Sequence, residues 1–364
     1  MKKIMLALST VWLAALPAHA ELLTAADGKV FLEGLHAPQG ILVRSDGSVI
    51  VTESGAGGDQ DLDYFNPQSY AASAAKVGLS SRVHEVSADG EVRVLASLPS
   101  IAVEHELIGA ARAVDLDGRL MVTIGAWQEA LGASSTVENY PGVLEIHSDG
   151  AVSVVGDTWA HELVNNPDGT GNKETHPYDL MQGPTGDVLI VDAAANTLLS
   201  LDPSTGEIST LAVFDAMPGV FPNPWRNNEP MADPVPTGIA HGPDGSVLVS
   251  LLSGAPFIPG SAKIVSVKDG AVSDYATGLT MAVDMATAAD GTLYVLSFGL
   301  FEPTGPVPAS GSVHRIHEDG SSEMVIDGLS FATSIAFASD GAMLVAINGV
   351  MPVAGQVLRF EQFM

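Results

Sequence analysis

Pro236 to Ser250 reads Pro-Thr-Gly-Ile-Ala-His-Gly-Pro-Asp-Gly-Ser-Val-Leu-Val-Ser, and the same shape returns along the whole chain. A short apolar run meets an Asp-Gly pair, and a β-branched run leaves it. That is the strongest short-range signal for a β-hairpin. Glycine supplies positive φ without a steric penalty, and aspartate closes the turn with its own carboxylate. Ten Asp-Gly pairs occupy such places: Asp27-Gly28, Asp46-Gly47, Asp89-Gly90, Asp117-Gly118, Asp149-Gly150, Asp244-Gly245, Asp269-Gly270, Asp290-Gly291, Asp319-Gly320 and Asp340-Gly341. Thr185-Gly186 and Thr205-Gly206 stand where the spacing asks for two more.

Working outward from Pro236-Thr237-Gly238-Ile239, five other segments align before a turn. They are Pro38-Gln39-Gly40-Ile41, Ala111-Arg112-Ala113-Val114, Pro177-Tyr178-Asp179-Leu180, Ala282-Val283-Asp284-Met285 and Ala332-Thr333-Ser334-Ile335. A second kind of turn joins strands such as Arg82 to Val86 or Val313 to His317 to a strand ending near Gly-Leu. Four strands per repeat and six repeats predict an all-β fold, a six-bladed β-propeller. One blade cannot bury both of its faces, so the ring has to close. The last repeat supplies only three strands, at Ser334 to Phe337, Ala342 to Ile347 and Gln356 to Phe360. Its missing strand has the form Asp-Gly-x-x-x-x-x-Gly-Leu, which Asp27 to Leu35 carries. The N-terminal strand is therefore expected to complete the last blade and remove an open edge.

Residues 1–20 read as a secretory signal: Lys2 and Lys3, an apolar stretch from Ile4 to Leu16, and Ala18-His19-Ala20 as the cleavage site. The expectation is cleavage after Ala20, one propeller domain over 21–364, and a periplasmic or secreted location. The apolar run is too short to span a bilayer, and no membrane insertion is expected. There is no cysteine, hence no disulfide and no thiol nucleophile. The full chain carries a formal charge of −28, and without Lys2 and Lys3 it has 13 basic against 43 acidic residues. Such a field repels nucleic acid and anionic membranes, so neither is an expected partner.

Long inserts fall at Gly55 to Ser80, Pro99 to Ile108, Trp127 to Pro141, Thr158 to Thr175, Phe214 to Val235, Gly254 to Gly260 and Gly299 to Ser310. In a propeller all of these lie on one face, opposite the tight hairpins. Loops on a rigid scaffold are the usual seat of binding residues. Trp127, Trp159 and Trp225 lie in these inserts, with Tyr64, Phe65, Tyr70, Tyr140, Phe221 and Phe257. They read either as aromatic platforms for a flat or apolar ligand or as small cores of the loops themselves.

Polar residues at strand ends on the same face form the candidate mouth of the central channel. Arg112, His176, Tyr178, Asp179 and Asp284 begin inner strands, while Glu53 and Asp192 end second strands. Oxygen donors in such a ring suit a hard cation, calcium above all, with Asp179 and Asp284 as candidate metal ligands. The same residues equally make an Arg–carboxylate network that ties blades together. His105-Glu106 and His161-Glu162 lack a third spaced ligand for zinc, and His84, His147, His314 and His317 belong to third strands. There is no Gly-x-Ser-x-Gly elbow and no phosphate-binding strand–helix turn, since no helix of substance is readable.

Several segments together resemble the ScyD/ScyE family, secreted propellers related to NHL-repeat proteins. They are Gly34-Leu35 with Pro38-x-Gly40, Val122 to Gly125, Glu162-x-x-Asn165-Asn166-Pro167-Asp168-Gly169, Pro177-Tyr178, and Ser209 to Phe214. The Asn-Asn-Pro-Asp-Gly segment followed by Pro-Tyr is the most specific part. His176 and Asp179 stand where the family pattern leads one to expect Asn and Gly. The resemblance implies an exported binding or scaffold propeller, holding an unidentified small molecule or protein, and supplies no catalytic set. The alternative reading is a calcium-assisted hydrolase or lactonase, on the analogy of six-bladed enzymes that polarise a carbonyl with a metal.

Overall fold

The computed structural model describes residues 22–66, 71–361 and 363. Within them six four-stranded antiparallel meanders form a ring. From the channel outward, blade 1 runs Pro38–Val43, Val49–Glu53, Ala71–Val86 and Val92–Val103. Blade 2 has Ala110–Leu116, Arg119–Ile124, Gly142–Ile146 and Val152–Gly156, and blade 3 has Pro177–Gln182, Val188–Asp192, Thr197–Leu201 and Ile208–Val213. Blade 4 comprises Pro236–His241, Val247–Leu251, Ala262–Lys268 and Ala271–Leu279, and blade 5 Ala282–Thr287, Leu293–Ser297, Gly311–Ile316 and Ser322–Leu329. Blade 6 contains Ser334–Phe337, Met343–Ile347 and Gly355–Phe360, and its outer strand is Lys29–Leu35.

The Asp-Gly turns behave as their chemistry requires. At the first, Gly47 takes φ +84°, Arg44 N donates to Ser48 O at 2.9 Å, and Ser48 N donates to Asp46 Oδ1 at 2.9 Å. Asp149, Asp290, Asp319 and Asp340 accept the amide two residues on in the same way. Second strands are apolar without alternation because both of their faces are covered by neighbouring blades. Val49–Glu53, Val188–Asp192, Leu293–Ser297 and Met343–Ile347 are buried at every position. The core is thus a set of interblade layers, one of which packs Ile50 and Val83 of blade 1 with Leu120, Val122 and Leu144 of blade 2.

Closure occurs as expected: Lys29–Leu35 pairs antiparallel with Gly355–Phe360, placing Val30 opposite Leu358. The upstream chain adds something more. Leu23–Thr24 pairs parallel with Ile326 and Asp327, a fifth strand on blade 5. Asp27-Gly28 is accordingly no hairpin. Gly28 sits at φ −74° after the turn Ala25–Asp27, and Asp27 Oδ2 accepts from Thr24 N and Oγ1, both at 2.8 Å. The strands on its two sides, Leu23–Thr24 and Lys29–Leu35, belong to different blades and do not pair with each other.

The inserts are more ordered than a reading as loops implies. In blade 1 the third and fourth strands simply continue, and Gln60–Asn66 pairs with Ala71 to Val77 of the long third strand. Between blades 2 and 3 a helix appears, Thr158–Asn165, capped by Asp157, whose carboxylate accepts Ala160 N at 2.9 Å. No helix among the described residues is long and apolar enough to cross a membrane. The signal segment 1–20 and Tyr70 lie outside the described residues, as does the side chain of Phe65.

Candidate functional site

Alignment of the inner strands brings Arg112, Asp179 and Asp284 together at the channel. Arg112 is 4 % exposed. Its Nη1 donates to the carbonyl of Gln39 in blade 1, and its Nη2 donates to Thr333 O in blade 6 at 2.7 Å. Asp284 of blade 5 lies 3.6 Å from Nη2, Asp179 of blade 3 lies 4.0 Å from Nε, and the Tyr178 ring stacks 4.9 Å below the guanidinium. One guanidinium therefore reaches four other blades. The two carboxylates extend the web through backbone amides. Asp179 Oδ2 accepts Ile239 N of blade 4 at 3.1 Å, and Asp284 Oδ2 accepts Ile335 N of blade 6 at 2.8 Å.

Hydroxyls complete the girdle. Thr52 Oγ1 donates to Ala111 O at 2.5 Å, Thr123 to Tyr178 O at 2.9 Å, Thr237 to Ala282 O at 2.8 Å and Thr333 to Pro38 O at 2.7 Å. With the two aspartates, each of the six junctions between blades has a side chain bonded to a neighbour's backbone. Gly40 and Gly238 make room for this crowding. A Cβ on Gly40 would meet Ala111 O at 2.4 Å and Arg112 Cα at 3.1 Å, and one on Gly238 would meet Ser250 Oγ at 2.7 Å and Asp284 Cα at 3.1 Å.

Two carboxylates around one guanidinium leave an excess negative charge in a buried place. Burial, with Asp284 adding to it against Arg112, pushes Asp179 up to about 7. Asp284 is also raised, by burial, with Arg112 opposing. Burial works against the charge on Arg112, but Asp284, Tyr178 and Asp179 outweigh it and hold the group above its ordinary range. His176, packed edge-on against Tyr178 with ring centroids 5.6 Å apart, is pushed down to about 4 by burial and is neutral at pH 7.

The remaining expected residues separate into different roles. Glu53 and Asp192 are buried and clamp the backbone where an inner strand begins: Glu53 Oε2 accepts His36 N and Asp192 Oδ1 accepts His176 N, both at 2.6 Å. Glu53 also faces His84 at 3.3 Å and Arg82 at 3.6 Å. Of the two readings open for Trp127 and Trp159, aromatic platforms or core residues, their burial fits the second. They are 2 % and 3 % exposed, and their indole N–H groups donate to Gly132 O and Ala133 O. They extend the layer between blades 1 and 2 that holds Ile50, Val83 and Leu144, so the inserts are packed onto the blades by their largest side chains. Trp225 differs, at 37 % exposed. Tyr178 is half-buried, its hydroxyl donating to Gln39 Oε1 at 3.3 Å.

Calcium at the mouth does not fit this donor set. Arg112 already stands as the cation facing Asp179 and Asp284, and each carboxylate also accepts two backbone amides. Gln39 and Thr333 were not expected at the mouth. Their alignment with Arg112 in the repeats is the signal that reveals them.

No protein-family model matches the chain, and no curated protein matches it. Solved structures do. A gluconolactonase from Xanthomonas campestris superposes with a TM-score of 0.53 at 14% identity, covering 93% of this chain and 94% of its own. Regucalcin from Agrobacterium tumefaciens, described as a calcium-binding protein, gives 0.51 at 13%, covering 95% and 98%. A putative gluconolactonase gives 0.50 at 13%, covering 93% and 94%. At such identity the likeness shows the fold: a six-bladed propeller of the kind these proteins share.

Proposed function

We propose that this chain is an exported β-propeller binding or scaffold protein of the ScyD/ScyE type, cleaved after Ala20 and acting in the periplasm or outside the cell, with a ligand or partner held on the long-loop face around the channel mouth. One observation carries the reading: where the exposed apolar side chains lie. Leu79, Phe221, Trp225, Phe301, Met351 and Val353 are 37–70 % exposed, and all belong to connections on the long-loop face. Val92, Val94, Val154, Leu211, Val213, Val272 and Met324 are also exposed, but they lie along outer strands and not in the tight turns of the opposite face. The long-loop face thus presents aromatic and aliphatic side chains in its connections where, among the described residues, the tight turns of the other face present none, and such apolar surface on an acidic protein suits an interaction face. A cleft of about 450 Å³ between residues 133–141 and the helix Thr158–Asn165 opens on the same side.

Polar chemistry at the mouth supports binding over catalysis. Arg112, Asp179 and Asp284 are occupied with one another and with backbone, and a lactonase reading that takes Asp179 and Asp284 as metal ligands has to compete with Arg112 for them. The test uses Nile red, an uncharged probe that the acidic surface does not repel. The probe is expected to brighten on the native protein and to lose most of that response in a Phe221→Ser, Phe301→Ser double variant with unchanged melting. Calcium-dependent lactone hydrolysis by the unaltered protein, or equal probe binding by the variant, overturns the reading.

A further inference from the structure

Away from the mouth, the insert between blades 2 and 3 collects acids with little positive charge to answer them. The helix Thr158–Asn165 buries Thr158 and Glu162, one turn apart. Thr158 and Thr175 share a hydroxyl bond of 2.8 Å, and Thr175 donates in turn to Asp192, so this helix face lies against Glu174–Thr175 and the end of Val188–Asp192. Glu162 is 2 % exposed, and neither carboxylate oxygen has a close hydrogen-bond partner, the Glu174 backbone amide being the group that favours its charged form from farther off. One turn later, Asn166 also buries an Oδ1 without a partner. Asp168 is buried as well, its Oδ2 taken by Asn196 Nδ2 at 2.9 Å. The nearby cations are committed elsewhere: Arg226 pairs with Asp233 at 2.5 Å and reaches Asp168 only at 4.0 Å, while Lys173 donates to Leu163 O at 2.7 Å.

Buried carboxylates without partners are costly, and a native structure resolves them by protonation or by a cation. We propose that Glu162, Asp168, Glu174 and the Asn166 carbonyl, backed by Asp192, bind a hard divalent cation, calcium in the first place. The donors are all oxygens, the set calcium prefers. His161 does not join them, since its Nε2 bonds Thr210 Oγ1 at 2.9 Å. Among the described residues no three acids stand grouped as ready metal ligands, so binding here requires rotation of the Glu162 and Glu174 side chains toward a common point. Their electrostatics agree with the geometry. Burial first, then Asp192 and Asp168, raises Glu162 to about 8, and burial with Asp233, Asp168 and Asp192 raises Glu174 to about 8. A cation here would brace the insert against blade 3 and, through Asp192, the His176 end of the mouth. The Glu162-x-x-Asn165-Asn166-Pro167-Asp168-Gly169 segment thereby acquires a chemical role that the channel leaves unassigned.

The experiment compares chelator-treated protein with and without added calcium, and follows terbium luminescence sensitised by Trp159, three residues before Glu162. Calcium is expected to raise the melting temperature by roughly 2–5 °C by mass action. Terbium emission should appear on binding. Both responses are expected to vanish in Glu162→Gln and in Asp168→Asn. Without metal, Glu162→Gln should melt above the unaltered protein at neutral pH, because folding no longer has to protonate a carboxylate that is ionised in the unfolded chain. The proposal is overturned if the unaltered protein shows neither response, or if both responses survive in both variants, which assigns the ion to another acidic surface. It is equally overturned if metal-free Glu162→Gln melts lower, since the carboxylate then has a protein partner. The unaltered Nile red response of Glu162→Gln keeps this test separate from the apolar-face reading.

Discussion

The two faces of the ring use acidic residues in opposite ways. On the hairpin face Asp46, Asp319 and Asp340 lie at or near the surface, and hydrogen bonds from their own turns hold them below the ordinary carboxylate range. On the long-loop face Asp179 and Glu162 are buried and Glu174 half-buried, and loss of solvent holds them at about 7, 8 and 8. The first group stabilises local turns at almost no desolvation cost. The second is stored against an electrostatic gradient, which persists only because a fold formed elsewhere supplies the stability. A propeller can thus keep its hairpin end as framework and place strain and chemistry at the other.

Four measurements break or sharpen this contrast. The largest effect belongs to closure: a chain lacking residues through Gly34 loses a whole strand of blade 6 and is expected to lose several kcal/mol, on the order of 5, in denaturant unfolding. Unchanged unfolding would contradict the observed pairing of Val30 with Leu358. Next comes Arg112→Met, which leaves two buried carboxylates unanswered and should cost about 3–5 kcal/mol at pH 8. That loss should shrink at pH 5, where Asp179 protonates.

A smaller effect is a change of slope with pH. The folded state holds Glu162 at about 8 against an ordinary 4.5, so between these values it binds more protons than the unfolded chain. Its contribution is present below about 4.5 and is lost as pH rises to 8. His176 acts in reverse: held near 4 against 6.5, it favours folding above 6.5 and withdraws that support as pH falls through 4. Stability of metal-free protein should therefore decline from pH 6.5 to 8, and Glu162→Gln should flatten that limb while leaving the acid limb unchanged. An identical profile in the variant removes Glu162 from the explanation. The smallest effect is on the hairpin face. Gly47→Ala forces a side chain into φ +84° and should cost about 1 kcal/mol, with no dependence on pH between 5 and 8.

The ring was legible because its evidence is local and repeated. Each Asp-Gly turn announces a hairpin, and the missing strand of the last repeat points to Lys29–Leu35. Arg112, Asp179 and Asp284 could be placed together by the same alignment, since equivalent positions of inner strands converge on one axis. What they do there depends on distances, which is why metal site and blade-tying network stayed open until Arg112 was seen between the carboxylates. The inserts were harder to read. Ala71 to Val77 is mostly small residues without alternation, and it is a strand because Gln60–Asn66 lies on one side of it and the extended fourth strand pairs with Ala75 to Val77 on the other. Trp127 and Trp159 carry no sign of which way they face. Glu162 appears in sequence as half of a His-Glu pair, and only the packing of its helix shows that the histidine turns away and the glutamate is buried.

Closure by Lys29–Leu35 also sets an order of events. As the chain emerges, this strand is made first and its partner, Gly355–Phe360, almost last. Blades 2 to 5 can form their hairpins from neighbours in sequence, but the first strand has to wait, unpaired, until nearly everything else has been delivered. Contacts of such long range slow folding, and a waiting edge is open to pairing with another chain. Leu23–Thr24 offers a partial remedy, since Ser322–Leu329 is complete before Gly355–Phe360 and can take hold of the free end early. The short parallel contact on blade 5 would then act as a tether, keeping the waiting strand beside the gap it is to fill.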